Sequence, residues 1–70
     1  MADSVYKVIE LVGTSPESWE KAAEAAINRA SESLRDIRIA EVEKLDMHLV
    51  DGKIEYRSKL KVSFKYEGHH

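Results

Sequence analysis

The sequence predicts an α+β domain with the element order strand, helix, strand, strand. Three observations predict it. From Ile54 to Tyr66 the even positions are apolar (Ile54, Tyr56, Leu60, Val62, Phe64, Tyr66), with Ser58 the exception. The odd positions from Lys53 to Lys65 are charged or polar. Strict period two means a long strand with one apolar and one wet face. Trp19, Ala22, Ala23, Ala26, Ile27, Ala30 and Leu34 recur at spacings of three and four, which is one face of a helix. Asp51-Gly52, set between two strand-like runs, reads as a two-residue hairpin turn.

The first strand is expected over about Val5–Val12 and ends at Gly13. Tyr6, Val8 and Val12 lie on one side and Val5, Ile9 and Leu11 on the other, interrupted by Lys7 and Glu10. Apolar residues on both faces call for cover on both sides. The helix is expected over about Pro16–Arg35. Ser15 is the expected N-cap with Pro16 the first helical residue, and Thr14 with Glu17 forms a competing capping box. Its packing face is mostly alanine, so it can approach a sheet closely. Glu17 and Lys21 are spaced for an i, i+4 ion pair, worth only about 0.2–0.5 kcal/mol.

The second strand is expected over about Ile37–Val50, and its pattern changes phase. Ile37 and Ile39 are odd, Ala40 and Val42 even, and Leu45, Met47 and Leu49 odd again. A one-residue slip flips every side chain, so a bulge near Glu43-Lys44 reconciles the last two sets. Ala40, Val42, Leu45 and Met47 then share the helix-covered face. Ile39 and Glu41 fall on the other, with Arg57 and Lys59, where a ligand on the sheet would sit.

A single domain of 70 residues buries only roughly 60% of its unfolded surface. Its last two strands reach on the order of 40 Å at the usual rise, so they must curl around the helix or extend onto a neighbour. Small chains are usually stabilised by disulfides, metals or oligomerisation. Cysteine is absent, which excludes disulfides, thiolate metal sites and cysteine nucleophiles. Self-association and a bound ion remain. The net charge of -2 gives no electrostatic case for nucleic acid or an anionic membrane. No segment reads as a membrane span or a signal-peptide core, and a cytoplasmic location is expected. His69-His70 reads as a tag remnant.

From end to end the chain resembles the dodecins. The run Tyr6-Lys7-Val8-Ile9-Glu10-Leu11-Val12-Gly13-Thr14-Ser15, the helix, Ala40-Glu41-Val42 and Lys61-Val62-Ser63-Phe64 carry the resemblance. It implies a three-stranded antiparallel sheet wrapped around one helix, and a hollow dodecamer. It also implies a non-enzymatic protein that stores or buffers flavin stacked between tryptophans, with a glutamine on the flavin ring. Here Ile39 stands where the tryptophan would be and Arg57 where the glutamine would be. Isoleucine offers no aromatic plane, and arginine has no acceptor. Trp19, in the first helical turn, is expected to be a core or interface anchor. Ile37-Arg38-Ile39-Ala40, Asp46-Met47, Tyr56-Arg57, Ser15-Pro16 and Ser18-Trp19 resemble the calcium dodecins, a subgroup associated with calcium in place of flavin.

Calcium takes about six to eight oxygen ligands, and the chain has no EF-hand loop. Glu17 and Asp46 are the carboxylates to test first for metal binding, against a default of solvated surface positions. Ile39, Glu41, Arg57 and Arg38 are the candidate ligand-pocket residues. Glu41 and Arg57 are expected to form an ion pair, the rival reading being that Arg57 clamps an anionic ligand; Arg38 is solvated or interfacial by default. His48 shares a face with Asp46, but one histidine and one carboxylate do not make a site. The Gly13–Pro16 turn could hold an anion at a helix N-terminus, with simple capping the expected role. No nucleophile–base set and no nucleotide loop is present. The expected function is therefore binding or storage of a small ligand or ion, with calcium favoured and flavin not expected. A flavin-storing protein with an altered pocket is the alternative.

Overall fold

The computed structural model describes residues 3–66, so the tag reading of His69-His70 lies outside the described residues. The elements follow in the expected order: β1 (Tyr6–Ser15), α1 (Trp19–Ser31), β2 (Ile37–Val50) and β3 (Lys53–Lys65). They form one antiparallel sheet of order β1-β3-β2. The strand with the strictest alternation, β3, is thus central, and both others are edges. Among the described residues no helix is long and apolar enough to cross a membrane.

β1 runs on through Gly13 to Ser15, pairing Gly13 with Ser58 and Ser15 with Tyr56. Glycine is here a residue of close approach and does not end the strand. A Cβ at Gly13 would lie 2.0 Å from the Ala22 carbonyl oxygen and 3.0 Å from the Ala26 Cβ. The alanine face of α1 therefore lies directly on β1, as its composition predicts. Ala22, Ala26, Ala30, Leu60 and Val62 are buried, and Ile9, Leu11, Ala23, Ile27 and Ile37 pack around them.

The helix is shorter than expected at both ends. Ser18 is the N-cap, its hydroxyl accepting from the Lys21 backbone N–H at 3.0 Å. Ser15 instead closes a local turn by accepting from Glu17 N–H at 3.0 Å. Both hydroxyls satisfy free donors, but only the one at position 18 stands three residues before a helical N–H. Glu17 therefore precedes the helix, and Lys21 pairs with Glu24 at 3.6 Å. At the far end the N–H groups of Ser33 and Leu34 both turn back onto Ala30 O. The chain then reverses through Asp36 at φ 57°. The Asp51-Gly52 turn is as expected, with φ 49° and 76°, the doubly left-handed geometry of a tight hairpin.

The register of β2 is offset twice, between Ile37 and Ile39 and between Val42 and Lys44. The second offset is the expected bulge, with Glu43 the extra residue. The first, at Arg38, splits two isoleucines that a simple alternation puts together. Ile37 pairs with Phe64 on the helix side and Ile39 with Ser63 on the open side. Ala40, Val42, Leu45 and Met47 all pair with helix-side residues of β3.

α1 lies over β1 and β3 and barely reaches β2. Consequently the helix side of β2 is bare: Val42, Leu45, Met47 and Leu49 are exposed, Leu49 by 70%. On the open face Tyr6, Val8, Val12 and Ile39 are exposed as well. The double cover that β1 calls for is not supplied by the chain itself. The described chain is a rod of 55 × 20 × 17 Å, because the β2–β3 ribbon projects past the helix.

Candidate functional site

The open face of the sheet collects the chain's candidate ligand residues. Directly paired residues of an antiparallel ladder share a face, so the register places them in rows. Val8, Ser63 and Ile39 form one row. Glu10, Lys61 and Glu41 form the next. Val12, Lys59 and Lys44 follow, then Thr14, Arg57 and Asp46. Ile39 and Glu41 thus stand on the open face with Arg57, and Ile39 is 63% exposed there. Arg38 is the extra residue of the first bulge and is exposed.

The expected Glu41–Arg57 pair does not form. Arg57 Nε donates to Asp46 Oδ1 at 2.8 Å, both side chains being 45% exposed. Glu41 stands opposite Lys61, about 13 Å along β3 from Arg57 at the usual strand rise. Strand register is the reason: counted back from the Asp51-Gly52 turn, the direct partner of position 57 is Asp46, while that of Glu41 is Lys61. The next row outward sets His48 against Glu55, with Nδ1 and Oε1 3.8 Å apart.

Glu43 was not singled out by the sequence, although the phase change at positions 43 and 44 marks it. Its carboxylate reaches across β3, 3.1 Å from Lys61 Nζ and 3.8 Å from Lys59 Nζ, and Lys59 in turn lies 3.7 Å from Glu10. Hydrogen bonding from Lys61, reinforced by the charges of Lys61 and Lys59, holds the Glu43 carboxyl below its usual pKa. The same hydrogen bond and charge raise the Lys61 ammonium above its usual value. These contacts join all three strands across the open face.

Behind Asp46 stands Trp19. Its Nε1 donates to the Asp46 carbonyl at 3.0 Å, and its ring meets Tyr56 edge-on, centroids 5.0 Å apart at 72°. Ser58, buried on β3, donates to the Trp19 carbonyl at 2.8 Å. Trp19 therefore anchors the start of α1 to both β2 and β3, the role expected of it. Asp46 is fixed twice, by its carbonyl to Trp19 and by its carboxylate to Arg57.

Glu17, considered for a metal, lies in the turn before α1, and Asp46 lies on β2. Among the described residues no group of three or more histidine, aspartate or glutamate side chains converges as metal ligands. Calcium's oxygen shell of about six to eight ligands is therefore not built from a cluster of acidic side chains among the described residues of one copy. At this face Ile39 presents no ring to stack, and Arg57 is engaged by a carboxylate.

Comparison with known proteins agrees with this architecture. The family model described as dodecin matches residues 5–67. The chain is 59% identical over 63 residues to the calcium dodecin of Mycobacterium tuberculosis, covering 89% of each. It is 41% identical over 64 residues to the dodecin of Thermus thermophilus, covering 90% of this chain and 93% of that one. The crystal structure of the M. tuberculosis calcium dodecin, described as a calcium-chelating antigen with a novel calcium-binding site, superimposes with a TM-score of 0.86 at 54% identity. The match covers 96% of this chain and 97% of that one. With the β-α-β-β order and the antiparallel β1-β3-β2 sheet in place, the chain belongs to the dodecin family.

Proposed function

We propose that this chain is a non-enzymatic, self-assembling binding protein that takes up calcium and does not store flavin. The observation that carries the reading is the 59% identity, across 89% of both chains, to a protein named calcium dodecin. The open face supports it: Arg57 is tied to Asp46 at 2.8 Å, and Ile39 presents only a branched aliphatic chain. Exposed apolar residues on both sides of the sheet support assembly into a closed homo-oligomer, a dodecamer on the family pattern. A cytoplasmic location accords with a chain that uses no cysteine.

Among the described residues of one copy no three acidic or histidine side chains converge, and in this reading the ion's oxygen ligands come from more than one copy. Glu17 and Asp46 are the carboxylates to test, together with main-chain carbonyls and water. Isothermal titration of the assembled protein with calcium is expected to give saturable binding that weakens at least tenfold in Glu17→Gln or Asp46→Asn. Binding unchanged in both variants would remove these residues from the site, and no binding by the wild type would remove calcium. Riboflavin or FMN fluorescence is expected to stay unquenched at micromolar protein; stoichiometric quenching would instead establish the flavin-storing alternative.

A further inference from the structure

Asp46 is the carboxylate that the open face holds most firmly. Its contact with Arg57, Nε to Oδ1 at 2.8 Å, is the shortest ion pair among the described residues. Its backbone is fixed from the helix side, where Trp19 Nε1 donates to the Asp46 carbonyl at 3.0 Å. The Arg57 end is freer. Arg57 donates from Nε without the two-pronged fork that arginine can offer a carboxylate, and both side chains are 45% exposed. Across the ladder from Arg57 stands Thr14 of β1, which carries no charge. One row outward stands Glu55, about 7 Å along the same face of β3 at the usual rise. Glu55 is held more loosely, by His48 at 3.8 Å. Arg57 can therefore exchange Asp46 for Glu55 by turning its own side chain, with the sheet unmoved.

We propose that Arg57 competes with calcium for the Asp46 carboxylate, so that Asp46 takes the ion only when Arg57 has let go. The inference rests on the calcium reading with Asp46 as a ligand, and names the residue that sets the affinity of that site. Arginine has donors and no acceptor, whereas calcium is bound by oxygen, so Arg57 cannot join the ligand set. Two cations at one carboxylate also repel each other. The apparent affinity is then lowered by the fraction of chains in which Asp46 is free. Because Trp19 fixes the Asp46 backbone, the exchange falls to the long side chain of Arg57.

Calorimetric titration of the full chain with calcium tests the competition. Arg57→Gln is expected to bind about three- to tenfold more tightly than the wild type, the range a half-exposed, charge-assisted pair allows. Arg57→Lys keeps the charge and is expected to gain less. In an Asp46→Asn background, Arg57→Gln is expected to bring no gain, because the carboxylate it would free is gone. Unchanged or weaker binding in Arg57→Gln, with circular dichroism and native mass as in the wild type, would overturn the inference. So would a gain in Arg57→Lys as large as that in Arg57→Gln. A gain that persists without Asp46 would do the same, since it would come from removing a positive charge alone. Calcium binding undiminished by Asp46→Asn would instead take Asp46 out of the site, and so overturn the reading beneath the inference.

Discussion

Gly13 shows how one missing Cβ sets the depth of the core. The helix and β1 are so close that a methyl group would sit 2.0 Å from the Ala22 carbonyl oxygen. That oxygen is helix backbone and cannot rotate away, so α1 must lift from the sheet. Gly13→Ala is expected to cost about 3 kcal/mol, the upper end of overpacking penalties. The cost would appear as a lower urea midpoint with an unchanged slope; an unshifted midpoint would refute the close approach. Ser58 is a second residue whose size and hydroxyl are both used. It interrupts the apolar alternation of β3 because it faces Gly13 across the ladder and donates to the Trp19 carbonyl. The sequence displays that interruption, but not its cause, since the partner lies 39 positions away.

The sheet is joined on its open face by the bulge residue Glu43, and this element has a defined pH response. Its carboxyl has a lowered pKa through the hydrogen bond from Lys61 and the charges of Lys61 and Lys59. Its contribution to stability is therefore complete above the unfolded glutamate pKa and is lost as the pH falls through the lower folded value. The Lys61 ammonium is shifted upward by the same partner, so its contribution is complete below the unfolded lysine pKa and is lost as the pH rises through the folded one. Glu43→Gln is expected to flatten the acid side of a stability–pH curve measured by chemical denaturation, and to leave a smaller change on the alkaline side. Superimposable acid limbs for the two proteins would contradict the bridge. The element order, the hairpin turn, the alanine face of α1 and the Glu43 bulge were all legible, because each rests on a local period or on turn chemistry. The strand end at Ser15 and the offset at Arg38 were not: each is decided by which strand lies opposite, and register is a long-range property that a slip of one residue changes completely. The cap is a different case, a choice between two nearby serines that each accept from a backbone N–H. The Arg57 pairing is local as well: the open face was correctly assigned to it, and counting back from the Asp51-Gly52 turn sets Asp46 opposite it.

For the molecule as a whole, the governing fact is asymmetry of cover. The helix shields β1 and β3 from one side only, and large apolar residues stand exposed on β2, on the hairpin and on the open face. Contiguous exposed apolar surface on a small chain marks an interaction site. Native mass spectrometry and light scattering are expected to return a closed homo-oligomer of the 8.0 kDa chain. Met47→Glu, which places a charge on the bare strip, is expected to shift the protein toward smaller species while its far-ultraviolet circular dichroism is retained. An assembly indifferent to that charge would take the strip out of the contact.

The two offsets in β2 have a genetic consequence. Between them, positions 39 to 42 run in a spatial phase opposite to that of the flanking stretches, in the way a frame-shifted segment lies between two compensating indels. Deleting the codon for position 43 alone would turn Leu45, Met47 and Leu49 over, or else drag the preceding stretch out of phase. A compensating insertion nearby should then rescue such a mutant more readily than any point substitution, and length variation within this strand should be far less tolerated than change of side chain.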